Sequence, residues 1–152
     1  MDRKTVLIVE DQVESAAMLE KMINEINPVI ECVIATTMKE AFCVLCEKRI
    51  DVFLIDIILD VEVEDDVSGL KLAEEIRGID KYKFTPIIFI TSLEDPQLYA
   101  YRTLHSYAYI QKPFLVDRTK KTLEEALCYT TKPQKPQTFL FRANGLLFPT
   151  KP

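Results

Sequence analysis

Residues 52–56 read Val-Phe-Leu-Ile-Asp. The run is short, rich in β-branched and aromatic side chains, and bounded by charge, which predicts a strand buried on both faces. It delivers one carboxylate, Asp56, at its carboxyl end. In open α/β sheets ligands gather outside that end of the strands. A carboxylate there is either an error of burial or a reactive group, and the rest of the chain decides which.

Working outward, the same pattern recurs. Thr5 to Val9 (TVLIV) is a first strand, running into Glu10-Asp11. A helical spacing of Ala16, Leu19, Ile23 and Ile26 follows, broken by Pro28. Val29 to Ala35 reads as a second strand, interrupted by Glu31 and so placed toward an edge. Thr37-Met38-Lys39-Glu40 has capping-box spacing ahead of a second helix that buries Met38, Ala41, Phe42 and Leu45. Past Asp56 the chain crosses an acidic loop, 60 to 67. Ser68 is expected to cap a third helix with Leu72, Ile76 and Ile79 on one face and Gly78 near its end. Ile87 to Ile90 is a fourth strand ending in Thr91-Ser92, and Asp95-Pro96 opens a fourth helix to about Leu104. Tyr107 to Gln111 is a fifth strand, followed by Lys112-Pro113. Val116, Leu123, Ala126 and Leu127 share the inner face of a last helix.

Strands alternating with helices predict a mostly parallel sheet covered on both sides, and right-handed crossovers place all strand C-termini along one edge. Glu10, Asp11, Asp56, Thr91, Ser92 and Lys112 would meet there. Three crowded carboxylates raise one another's pKa values unless a cation sits among them, and one lysine cannot neutralise three. A hard divalent ion such as Mg2+ completes the set, since it takes one or two carboxylates together with phosphate oxygens. In that setting Asp56 is a poor general base but a workable nucleophile toward phosphorus. Thr91 and Lys112 are placed to meet phosphoryl oxygens.

The bulk numbers fit this picture. The chain of 152 residues suits one domain plus a tail, and 48% of it is apolar, enough for a core without staples. The net charge of −5 is unevenly spread. Asp60, Glu62, Glu64, Asp65 and Asp66 cluster in the loop, whereas beyond Tyr129 the charges are Lys132, Lys135, Arg142 and Lys151. An acidic body argues against nucleic-acid binding by that body. Cys43 and Cys46 form a CxxC, but with no second such pair and only His105 to help, zinc is poorly supported. They are expected to be small hydrophobes on an apolar helix face. No signal peptide and no membrane-length apolar run is read, so a reduced, cytoplasmic protein without a membrane partner is expected.

The ordered pieces VLIVED (6–11), FLIDIIL (53–59), PIIFITS (86–92) and YIQKPF (109–114) resemble those of a two-component response regulator receiver domain over residues 1 to about 128. The resemblance implies a flavodoxin-like (βα)5 doubly wound parallel sheet with strand order 2-1-3-4-5. It implies that Asp56 is the phosphoacceptor for a sensor histidine kinase, with Mg2+ held by Asp11, Asp56 and the backbone carbonyl of Ile58, and with Glu10 as a further acidic contact. Thr91 becomes the switch hydroxyl, Lys112 the phosphate-contacting lysine, and Tyr109 the switch aromatic. The Lys112-Pro113 bond is expected to be cis. Phosphorylation would act on the face made by the fourth helix, fifth strand and fifth helix, through which a homodimer could form. Such a domain is not an enzyme beyond phosphorylating itself from small donors and slowly losing the group.

Departures from the family pattern are also legible. Asp60 stands where receivers carry a proline, and the matching glycine, Gly69, comes about five residues late. His105 replaces a usual glycine. The loop is expected to be a solvated insertion, with a sharper alternative that its charge concentrates Mg2+ or screens kinases. Two other functions lose on specific residues. An aspartyl-nucleophile phosphatase wants a second Asp two residues after the nucleophile, where Ile58 stands. A flavin module would be repelled by Glu10 and Asp11. A stand-alone phosphorelay adaptor stays open as an alternative to a regulator of transcription.

The tail divides at 130. Residues 130–137 (TTKPQKPQ) read as a linker after a receiver spanning 1–129. Residues 138–152 carry strand character around an Asn144-Gly145 turn signal. FLFRANGLLFPTK is similar to the opening hairpin of LytTR-type DNA-binding domains, so the expectation is an output domain that begins here. DNA would be contacted only through that domain. The hairpin could instead pair with a second chain.

Overall fold

The computed structural model describes residues 3–59, 68–91, 107–131, 141–144 and 146–149, with backbone only for Thr91, Tyr109, Gln111 and the residues from 129 onward. The acidic loop, the expected helix after Asp95, Ser92 and His105 lie outside the described residues.

Five strands, β1 (Thr5–Val9), β2 (Glu31–Ala35), β3 (Val52–Asp56), β4 (Ile87–Thr91) and β5 (Ala108–Gln111), form one sheet in the order β2-β1-β3-β4-β5. All neighbours are parallel. This is the doubly wound α/β fold with the anticipated strand order. The central position of β3 follows from its sequence: every residue from Val52 to Asp56 is buried, so it must be flanked on both edges and covered on both faces.

Period-two alternation sorts the core into two clusters. Leu7, Val9, Phe53, Ile55, Ile87 and Phe89 face α2 (Met38–Glu47) and α3 (Ser68–Arg77). Val6, Ile8, Val52, Leu54, Ile88 and Ile90 face α1 (Val13–Ile26) and α4 (Val116–Thr131). On α1 the expected Ala16, Leu19 and Ile23 are buried, together with Met22, and Ile26 packs at the margin. The ring of Tyr82 meets Phe53 edge-on at 5.1 Å, and its hydroxyl accepts the Ile50 N–H at 3.1 Å.

Local signals decide the helix ends. Thr37 caps α2 by accepting the Glu40 N–H at 3.1 Å, while the Glu40 carboxylate reaches back to the Thr36 N–H at 2.7 Å. The Glu40 carboxylate thus serves the residue before the cap, one position away from the partner a capping box would give it. Ser68 is the first described residue of α3. One expectation needs correction. Cys43 and Cys46 are both exposed. They occupy the outer side of α2, since Ala41 is the residue that helix buries fully.

Phe141–Asn144 and Leu146–Pro149 form a separate two-stranded antiparallel sheet, β6 and β7, around the Asn144-Gly145 signal. Residues 138–140 of the expected strand lie outside the described residues. No helix among the described residues is long and apolar enough to cross a membrane.

Candidate functional site

The site lies where β1, β3 and the segment after β5 end together. Hydrogen bonding continues one residue past two strands, with the Glu10 N–H on the Ala35 carbonyl at 3.0 Å and the Ile57 N–H on the Ile90 carbonyl at 2.9 Å. That rigid continuation fixes Glu10 and Asp56 before their side chains are considered. Glu10, Asp11 and Asp56 each offer a carboxylate oxygen within 4.8 Å of the others.

Lys112 crosses this cluster. Its Nζ lies 2.9 Å from Asp56 Oδ2, 2.9 Å from Glu10 Oε1 and 2.9 Å from Gln12 Oε1. The contacts to Asp56 and Gln12 are directed hydrogen bonds. The contact to Glu10 is close but off the hydrogen-bond direction, so it is ionic and leaves Oε1 without a well-aimed donor. The second oxygen of Asp56, Oδ1, accepts the Ile58 N–H at 2.9 Å. The Lys112-Pro113 bond is cis, as the resemblance implies.

Electrostatics follow from burial. The Glu10 side chain has no solvent exposure, and its pKa is pushed up to about 7, by burial first and by neighbouring Asp56 second, against the pull of Lys112. Asp11 is raised for similar reasons, burial and then Glu10. Burial works to lower the Lys112 pKa, but its contacts to Glu10 and Asp56 outweigh it and hold the ammonium above its ordinary value.

A pH dependence follows. Between pH 4.5, the ordinary glutamate value, and about 7, folded Glu10 keeps a proton that the unfolded chain has lost. Stability of the metal-free protein should therefore decline as pH rises through that window, and Glu10→Gln should flatten the decline. Denaturant midpoints measured from pH 4.5 to 8 check this, and parallel curves for the two proteins would contradict it.

Two buried oxygens, Glu10 Oε1 and Asp11 Oδ1, have no hydrogen-bond partner. Buried acceptors without a donor are costly, and Lys112, ionically close to Glu10 Oε1, hydrogen-bonds neither it nor Asp11 Oδ1. All-oxygen donors of this kind fit a hard divalent ion. Of the expected site residues, the structure brings Glu10, Asp11, Asp56 and Lys112 together, with Ile58 beside Asp56. Thr91 is the last residue of β4, paired with Gln111, and Tyr109 pairs with Phe89. Their side chains lie outside the described part of the structure.

Sequence reasoning missed Gln12. The signal was available, because a glutamine immediately before a helix occupies a position where Ser, Thr, Asp or Asn would serve the helix better.

Gly69 is the other positioning residue. Its N–H donates to the Ile57 carbonyl at 2.9 Å. A Cβ built there would lie 2.0 Å from the Asp56 carbonyl oxygen and 2.8 Å from the Ile57 Cα. Only glycine lets α3 approach the backbone of the Asp56 turn so closely.

A doubly wound sheet with an acidic cluster and a lysine at its carboxyl edge has its candidate site where α/β domains gather ligands, and comparison with known proteins narrows the class. The chain belongs to the response regulator receiver domain family, whose model matches residues 6–124. It is 31% identical over 106 residues to a Porphyra purpurea protein described as "Probable transcriptional regulator ycf29", an alignment covering 67% of this chain and 48% of that one. The chain thus matches about half the length of that relative. Among solved structures, the receiver domain of a modulated diguanylate cyclase from Desulfovibrio desulfuricans superposes with a TM-score of 0.66 at 26% identity, covering 86% of this chain and 98% of the other. The chemotaxis response regulator CheY4 of Vibrio cholerae gives 0.68 at 23% identity, covering 82% and 99%. The receiver domain of a DNA-binding response regulator from Colwellia psychrerythraea gives 0.70 at 23%, covering 82% and 98%.

Proposed function

We propose that the chain is a phosphoacceptor switch in which Asp56 takes a phosphoryl group from a phosphohistidine of a sensor kinase. The observation that carries this reading is the pairing of Asp56 with Lys112 beside two orphaned acidic oxygens. An Asp56 oxygen forms the new O–P bond as the N–P bond to the kinase imidazole breaks, and the bonding pair returns to the imidazole nitrogen. Lys112 offers its ammonium to a phosphoryl oxygen from where it stands, so one positive charge meets the developing negative charge. Glu10, Asp11, Asp56 and the Ile58 carbonyl would hold Mg2+, which when bound offsets the charge of the phosphoryl oxygens. Thr91 supplies the hydroxyl and Tyr109 the aromatic ring whose rearrangement reports occupancy.

Residues 1–129 form the receiver, 130–137 the linker, and the hairpin begins an output domain of LytTR type acting on transcription through DNA. The described relative of Porphyra purpurea, named as a transcriptional regulator, supports that direction. The protein works in the cytoplasm, and dimers form through the face around β5 or through the hairpin.

Incubation with acetyl phosphate or phosphoramidate and Mg2+, followed by intact-mass measurement, tests the acceptor. The wild type should gain one phosphoryl group and Asp56→Asn none. No gain in the wild type, or equal gain in both, would refute the assignment.

A further inference from the structure

The site contains a contact that neither the acidic cluster nor the family match accounts for. Gln12 and Lys112 are separated by 100 positions in sequence, yet Lys112 Nζ donates to Gln12 Oε1 at 2.9 Å. Gln12 stands immediately before α1, with extended backbone, and its side chain makes no capping hydrogen bond to that helix. Its N–H is itself tied to Glu10 Oε2 at 3.1 Å, and the Ser15 hydroxyl donates to the same Oε1 at 3.4 Å. The backbone of Gln12 is therefore tied to the site, and its exposed amide oxygen reaches across the cleft between Ser15 and Lys112. The helix forgoes the side-chain cap that Ser, Thr, Asp or Asn would provide at this position. A side chain withheld from its local role and directed to the essential cation calls for a reason at the site.

We infer that Gln12 is a positioning residue for phosphoryl transfer, holding the Lys112 ammonium over the cleft until a phosphoryl oxygen replaces it; this rests on the acceptor reading of Asp56. Three groups surround Nζ, two carboxylates and one neutral amide. Lysine has a flexible stem and much rotamer freedom to lose, so a fixed third partner lowers the ordering that remains when the donor arrives. A neutral acceptor does this without adding a negative charge that would repel a phosphoryl group. It is also the partner most readily exchanged, since Glu10 and Asp56 attract the ammonium with carboxylate groups and Gln12 only with an amide dipole. The ammonium thus keeps its place, and the oxygen it bonds changes.

The test uses the full chain with Gln12→Ala and Gln12→Ser. Serine can cap α1 but cannot reach Lys112, so its thermal midpoint should equal or exceed that of the wild type. Both variants should take phosphoryl from acetyl phosphate in Mg2+ about tenfold more slowly, the lower end of what one hydrogen bond from a charged group supplies. The nitrogen-15 resonance of the Lys112 ammonium, observable when its protons are held, should broaden in both. Unchanged rates in the variants overturn the inference, and so does a rate loss matched by a lower midpoint in Gln12→Ser, which would make Gln12 structural. If the wild type takes no phosphoryl group, the acceptor reading fails first. The ammonium resonance then judges Gln12 alone, and an unaltered signal in Gln12→Ala overturns the tether.

Discussion

Gly69→Ala is expected to lose at least about 3 kcal/mol of folding stability, and the survivors should fail to accept phosphate normally. The added methyl would meet the carbonyl oxygen of Asp56 at 2.0 Å, with the Asp56 carbonyl carbon and the Ile57 Cα each at 2.8 Å. All three are backbone atoms of a buried turn, so no side chain can rotate away to make room. Either α3 shifts outward, losing the Gly69 N–H bond to the Ile57 carbonyl, or the turn carrying Asp56 deforms. The same substitution at Gly78 provides the control. Its nearest atom is a helix carbonyl oxygen at 3.4 Å, ordinary contact, so Gly78→Ala should fold nearly as the wild type does. Urea unfolding of the two variants decides the matter, and equal midpoints would show that the turn yields where its packing says it should not.

Lys112→Met is the second large effect, and it separates into two measurements. Phosphoryl uptake should fall by at least about 100-fold, since the transferred group loses its one described cationic partner. Stability should fall too, by about 2 kcal/mol at pH 8 without metal, because Glu10 and Asp56 are left side by side in a buried place with no counter-charge. The sign with pH follows from the direction of the Glu10 shift. Losing the lysine removes the influence that lowers the Glu10 pKa, so the carboxyl binds its proton more firmly in the folded variant. Acidification toward pH 5 should then recover most of the deficit. Added Mg2+ should recover it at pH 8, whereas sodium at equal ionic strength should not. A deficit indifferent to both pH and Mg2+ would mean that lost packing of the lysine stem, and not charge, causes it.

The strands were legible because each is an unbroken apolar run, and a parallel sheet covered on both faces leaves few alternatives to such runs. The strand ends were legible because Glu10, Asp56 and Lys112 are the charged residues that punctuate or follow these runs. What escaped is what periodicity does not encode. Cys43 and Cys46 share a helix side at the same spacing whether that side faces core or solvent, and their exposure emerges only once Ala41 is seen to take the inner position. Gln12 was passed over because glutamine belongs to no acid–base or metal motif. Its partner lies at the far end of the domain sequence and is brought near only by the closing of the sheet.

The two apolar clusters have a consequence beyond holding the sheet together. Among the described residues no side chain belongs to both, because alternation along β1, β3 and β4 sends each residue to one face. The faces communicate through shared backbone alone, and close-packed backbone in a central strand is the least yielding medium a domain has. Residues lining α2 and α3 can therefore drift in composition while those lining α1 and α4 stay as they are. Hydrogen exchange should register this insulation as two sets of helix amides opening independently above a slower, common set in β3. A lineage built on such a plan can alter the surface on one side for a new associate without renegotiating the other.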